Sequence, residues 1–301
     1  MPASSGRSSK PAHASSALVL RAPILSKLPW LVHGFSTRLG GVSAIPDLKG
    51  SRSELNLGNL AWDSRANVEE NRRRLLECLR AGELPLVVQD QIHSDLIRAV
   101  DETPAHSPRL RGDGMITAGA GLLLAVLAAD CLPVLVVDIR QRVVAALHCG
   151  WRGTVRRIAQ KGVGRMRQVF GSRPEDLRAA IGPGIRSCCY RVGEEVAAEV
   201  QSQFLYASSL LAVEKPHKKF VDKKYALMRS ERWRASPSSN GPLIRLDLVE
   251  ANVRQLEEAG VDRSHIYAAA PCTSCNPDLF FSHRRDAGHT GRMMGVIGIR
   301  R

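Results

Sequence analysis

Hydrophobic residues fall into unbroken runs in the middle of the chain and into helical spacing on either side. Leu122–Val126, Leu132–Val137 and Val143–Leu147 are almost wholly aliphatic. Ala128-Ala129-Asp130-Cys131 separates the first two, and the polar turn Asp138–Arg142 separates the last two. Aliphatic runs bounded by turn residues predict strands covered on both faces. Trp30–Ser36 predicts a further strand that runs into the turn Thr37–Ser43, and Leu86–Val88 and Arg178–Ile181 predict short ones. Gly112–Thr117 reads as a turn entering a strand, and Gly295–Ile299 as a final strand.

Spacing of three and four residues marks the helices. Val68, Leu75, Leu76 and Leu79 predict a helix over Val68–Arg80, closed by Gly82. Val155, Ile158, Val163, Met166 and Val169 predict one continuous helix over Arg152–Phe170, and Glu194–Phe204 another. Leu248–Ala259 is amphipathic, with Asp247 as N-cap and Gly260 after its end.

With 44% hydrophobic residues the chain can bury a sizeable core, which excludes a wholly disordered protein. No apolar run approaches the roughly 20 residues of a membrane helix. The basic, Ser-rich start carries only the apolar patch Ala17–Leu20, too short for a secretory core of about 7–15 residues. Residues 1–25 are therefore expected to be a disordered tail, and 26–301 a single domain. Seven cysteines, with Cys188 and Cys189 adjacent, make a poor disulfide framework, so a cytoplasmic protein with reduced thiols is expected.

The net charge of +14 raises nucleic acid as a partner. Much of it is local: Glu214–Arg234 holds eight basic residues against three acidic ones and is interrupted by Pro216. We expect residues 214–241 to be a basic surface insertion. Four Tyr and six Phe leave few stacking platforms for single strands, which argues against a nucleic-acid binder.

His93, Cys131 and His148 each end or follow a predicted strand, and all can bind a borderline-soft metal. Their intervals match no compact zinc motif, and a core cysteine with hydrogen-bonded histidines would read the same way. Arg38 beside Gly40-Gly41 predicts an anion site, where a guanidinium and backbone N–H groups converge. Cys272-Thr273-Ser274-Cys275 could be a redox pair or half a zinc knuckle. No second C-x-x-C completes it, so packed or accessible thiols are the expectation.

Six ordered strings carry further information: QDQIHSDLI, AADCLPVLVVD, AALHCGWRGT, AIGPGIRSCCYRVG, LDLVEANVRQLEEAG and CTSCNPDLFFSHRRDAGHTGRMMGVIGI. Together with HGFSTRLGGVS they resemble the signature blocks of the YfiH/LACC1 family from about His33 to Ile299. That family is also known as laccase-domain, multicopper polyphenol oxidase or peptidoglycan editing factor proteins. The resemblance implies an α+β fold with mixed β-sheets flanked by helices, in a single domain. It implies zinc-dependent phosphorolysis of adenosine, inosine, guanosine and methylthioadenosine, plus deamination of adenosine. Purine nucleosides and phosphate are then the partners.

The family's metal ligands fall on His93, Cys131 and His148. Departures lie around them: Ser94 stands for a usual Gly, Cys149 for Ala and His283 for Tyr, and Gly184–Ser187 replaces a proline-containing loop. Two imidazoles and a thiolate leave a fourth zinc position open, as in catalytic sites. Arg38 and Arg152, each in a Gly-rich turn, are the candidates to gather phosphate. Asp130 could act as acid or base, or only orient a ligand. Three rivals stay open. A hydrolase of peptidoglycan precursors would use Cys131 as nucleophile and His148 as base. A copper polyphenol oxidase would need several coppers and more than nine histidines. A basic nucleic-acid binder would have no catalysis.

Overall fold

The structure, a computed structural model, describes residues 18–46, 53–100, 110–214 and 243–301. The N-terminal third holds β1 (Val19–Leu20), α1 (Pro23–Ser26), β2 (Leu31–Ser36), β3 (Leu39–Ser43), α2 (Arg65–Cys78), β4 (Leu86–Val88) and β5 (Ile97–Ala99). The middle holds β6 (Gly114–Thr117), β7 (Leu122–Ala128), β8 (Leu132–Asp138), β9 (Val143–Cys149), α3 (Trp151–Val155), α4 (Ile158–Phe170) and β10 (Leu177–Ile181). Then come β11 (Arg191–Val192), α5 (Glu194–Gln203), α6 (Ala207–Leu210), β12 (Leu211–Glu214), β13 (Leu243–Leu246), α7 (Leu248–Glu258), β14 (Ile266–Tyr267) and β15 (Met293–Ile299).

Two mixed sheets dominate. One has the order β1-β2-β15-β7-β4, the other β14-β10-β8-β9-β6-β5, and β11-β13-β12 form a smaller third. Strict alternation explains why the central strands are aliphatic on both sides. On β7, Leu122, Leu124 and Val126 face a core shared with Leu135 and Val137 of β8 and Val144 and Ala146 of β9. Leu123 and Ala125 point the other way, toward Leu75 of α2. On the second sheet Val134, Val136, Ala145 and Leu147 face α4 and α7, through residues such as Ile158, Met166 and Leu256. The layers are helix, sheet, sheet, helix. This is the α+β fold with mixed sheets and flanking helices that the resemblance implied, in a single YfiH-like domain.

Several expectations are corrected. The fold begins before residue 26: β1 pairs with β2 (Val19 opposite Ser36), and Ala22 and Leu25 are fully buried. The short apolar patch serves as an edge strand. The helix expected over Arg152–Phe170 is two helices, because Arg157 adopts a left-handed conformation (φ 64°) between α3 and α4. The Gly40-Gly41 turn is part of β3, and a Cβ on Gly41 would collide with the Glu54 backbone. The basic insertion at 214–241 lies outside the described residues, apart from Glu214 at the end of β12.

Candidate metal centre

The site forms where the second sheet ends. Pairing of β8 with β9 sets Leu132 opposite Cys149 and Pro133 opposite His148, so Cys131, just before β8, lies beside His148. His93 comes from the loop between β4 and β5. Gln91 fixes that loop: its amide donates to the Leu127 carbonyl at 2.8 Å and its oxygen accepts the Leu127 N–H at 2.6 Å. The donor atoms of His93, Cys131 and His148 all lie within 4.8 Å of one another. The two imidazole rings meet edge to face, 5.1 Å between centroids. His148 is buried, Cys131 half-buried and His93 exposed, so the cluster opens to solvent on the His93 side.

Local backbone geometry serves this convergence. His93 (φ 56°) and Asp130 (φ 89°) both occupy the left-handed region, which costs a side-chain-bearing residue about 1–3 kcal/mol. Gly150 explains part of the HCGWRG string: a Cβ there would sit 2.9 Å from the Cys131 sulfur and 3.5 Å from the His93 ring. Only a residue without a side chain lets the chain turn so close to both.

Asp113 organises the centre, and sequence reasoning read it only as part of a turn. Fully buried, its carboxylate accepts the N–H groups of Ile92 (3.2 Å), His93 (3.0 Å) and Ser94 (2.6 Å) and the Ser94 hydroxyl (2.7 Å). It also bonds His148 Nδ1 at 2.9 Å. A carboxylate only accepts, so His148 carries its proton on Nδ1 and turns Nε2 toward Cys131 and His93. The one sequence signal was a charged residue placed between two glycines ahead of a buried strand. Ser94 is held by two bonds to this same carboxylate, from its N–H and its hydroxyl.

The charges are strongly coupled. Burial alone would raise the Cys131 thiol, but the charge of His148 and hydrogen bonds from His148 and His93 outweigh it and bring the thiol down to about 6. Burial would lower His148, but Cys131 and Asp113 raise it to about 9. Burial would likewise raise Asp113, while bonds from His148 and Ser94 hold it at about 2. The two shifts together favour a thiolate beside an imidazolium. Replacing the imidazolium proton by a cation gives a two-imidazole, one-thiolate donor set suited to a borderline-soft metal.

The remaining candidates separate. Arg38 donates to both Glu54 oxygens (2.8 and 2.7 Å) and to the Pro277 carbonyl (2.9 Å), and it packs over Phe281. Nearby N–H groups are also engaged, Gly41 with the Ser53 carbonyl and Val42 with Asn71 Oδ1. The anion site expected there is thus an internal ion pair. Arg152 follows Gly150 by two residues, lies over the Trp151 ring at 4.4 Å and makes no carboxylate pair among the described residues. Asp130 accepts the Thr273 hydroxyl and the Arg284 N–H, both at 2.6 Å, leaving each carboxylate oxygen committed.

A profile described as multi-copper polyphenol oxidoreductase laccase matches residues 32–300. The chain belongs to that family. Within it, the chain is 37% identical over 280 residues to purine nucleoside phosphorylase YlmD of Geobacillus stearothermophilus, covering 89% of this chain and 90% of the relative. It is 38% identical over 284 residues to a purine nucleoside phosphorylase of Deinococcus radiodurans, covering 94% and 93%. The crystal structure of hypothetical protein YfiH from Bacillus licheniformis matches with a TM-score of 0.74 at 32% identity, over 90% of this chain and 93% of that one. Among the described residues no helix is long and apolar enough to cross a membrane.

Proposed function

We propose that the chain is a zinc-dependent purine nucleoside phosphorylase that also deaminates adenosine, with His93, Cys131 and His148 as its metal ligands. The observation that carries this is the convergence of the three donors, with the His148 tautomer fixed by Asp113, in a chain whose relatives bear that enzyme name. When bound, zinc supplies a Lewis acid with an open position, able to bring the pKa of water to about 7. The cluster is open to solvent on the His93 side, where a substrate would reach the bound metal.

The other requirements fall on side chains nearby. Phosphorolysis of adenosine, inosine, guanosine or methylthioadenosine needs phosphate held against the anomeric carbon, and desolvating that anion is costly without cations. Trp151, Arg152, Arg156, Arg157, Lys161 and Glu199 help line a cleft of about 440 Å³ next to the helix that follows Gly150, with Arg157 and Lys161 already paired to Glu258 and Asp95. This volume suits a small-molecule ligand. Arg152, which has no carboxylate partner among the described residues, gathers the phosphate. Asp130 acts as an anchor for the loop that carries Cys131. Deamination needs only water at C6 of adenine, so it does not call on Arg152.

A second reading has its own support. Cys131, His148 and Asp113 line up as nucleophile, base and orienting carboxylate, the arrangement of a cysteine hydrolase acting on peptidoglycan precursors. His93 has no task in that reading. A copper polyphenol oxidase would require several coppers, and the described residues gather a single histidine-containing cluster. Metal quantification decides between these. In the phosphorylase, Cys131→Ser should lose the one zinc held by this centre together with turnover, whereas a cysteine hydrolase works after exhaustive chelation.

A further inference from the structure

The turn carrying Cys188 and Cys189 and the turn carrying Cys272 and Cys275 meet, although more than eighty positions separate them. Cys275 Sγ is 3.5 Å from Cys188 Sγ and 3.3 Å from Cys189 Sγ, and all four sulfurs lie within 4.8 Å of one another. The thiols are free, packed or accessible as expected, but Cys188-Cys189 stands against the lone C-x-x-C, a juxtaposition the spacing did not show. We propose that these four cysteines form a second metal site, a tetrathiolate for Zn²⁺ separate from the His93–Cys131–His148 centre.

Four observations carry it. A tetrahedral zinc–thiolate centre with bonds of about 2.3 Å sets its sulfurs about 3.8 Å apart, within the spread found here. A disulfide needs about 2.05 Å, and none of the seven cysteines is so bonded. The backbone N–H groups of Arg186 and Cys275 both bond the Cys272 sulfur, tying the two turns to one ligand atom. The two turns are already registered on each other: Gly184 bridges Cys272, and the Thr273 N–H donates to the Gly184 carbonyl at 3.0 Å. The Arg245 guanidinium, bonded to the Cys188 carbonyl, adds positive charge beside a cluster that would carry net negative charge as a tetrathiolate. Cys188 and Cys275 are exposed, which gives an ion a way in.

The position assigns the ion a task. Thr273 lies inside the C-x-x-C and holds Asp130, and Ile185 N–H holds the Asp130 carbonyl at 2.8 Å. A cation tying the two turns together therefore braces the residue next to Cys131 from behind. Binding displaces the thiol protons and needs no oxidant. This proposal does not depend on which reaction the first centre performs.

The test is zinc content of the full chain purified under reducing conditions, with Cys131→Ser and Cys275→Ser as separate arms. We expect about two zinc ions per wild-type chain and about one in each variant. Cobalt exchanged into Cys131→Ser should give the intense visible bands of a tetrahedral tetrathiolate, and adding Cys275→Ser to that variant should abolish them. Should Cys275→Ser fail to fold, the wild-type stoichiometry and the cobalt spectrum of Cys131→Ser still decide. Metal-free Cys131→Ser, or a disulfide within the cluster in native-state mass spectra of the wild type, would overturn the proposal.

Discussion

The Asp113 carboxylate holds His148 Nδ1 at 2.9 Å while accepting three consecutive backbone N–H groups, Ile92 to Ser94, from the loop that presents His93. One buried side chain thereby positions two of the three donors. Asp113→Asn keeps the size but offers an amide that can present N–H to His148 and favour the wrong tautomer. Loss of such an orienting partner costs about 10- to 100-fold in metal affinity. A zinc titration against a chelator should show that loss, and the unfolding temperature should fall as well because the new NH2 group must face buried N–H donors on either side. Unchanged affinity would remove Asp113 from the site.

The two arginines are predicted to fail differently. Arg152→Ala removes a charge-assisted contact to phosphate, worth on the order of 2–4 kcal/mol, or about 30- to 1000-fold in adenine release. Inosine formation should be spared. Arg38→Ala instead leaves Glu54 buried without its partner, which typically costs about 3–5 kcal/mol of stability. Chemical unfolding and product chromatography on both variants test this. Equal loss of the two products in Arg152→Ala would contradict the phosphate role.

His33 makes folding acid-sensitive. Burial, and then the charge of Arg21, lower it from 6.5 to about 4. Its Nε2 accepts the Ala22 N–H at 3.2 Å, so the neutral ring is the form that fits. Because the folded pKa lies below the unfolded one, this contribution is intact above about pH 6.5 and is lost as pH falls toward 4. About 2 kcal/mol should disappear between pH 7 and 5. In urea unfolding, His33→Gln should show a shallower decline over that interval, and a parallel decline would refute the assignment.

The strands were readable because both sheets are covered on both faces, so β7, β8 and β9 appear as unbroken aliphatic runs. The ligand positions were readable from the strings around His93, Cys131 and His148. What escaped depends on contacts distant in sequence. Asp113 reaches its partners across 19 to 35 residues, and Cys188 meets Cys275 across 87. Arg38 looked like an anion binder because Glu54, sixteen positions on, has no local signature. The break at Arg157 was hidden because apolar spacing continues from α3 into α4.

The most direct measurement incubates zinc-quantified protein with adenosine, with saturating phosphate or none, and separates the products by chromatography. With phosphate, adenine and ribose 1-phosphate should appear in equal amounts. Without it, inosine alone should form, and Cys131→Ser should give neither product. Adenine release that is independent of phosphate, or full turnover by chelated zinc-free protein, would contradict the zinc phosphorylase assignment.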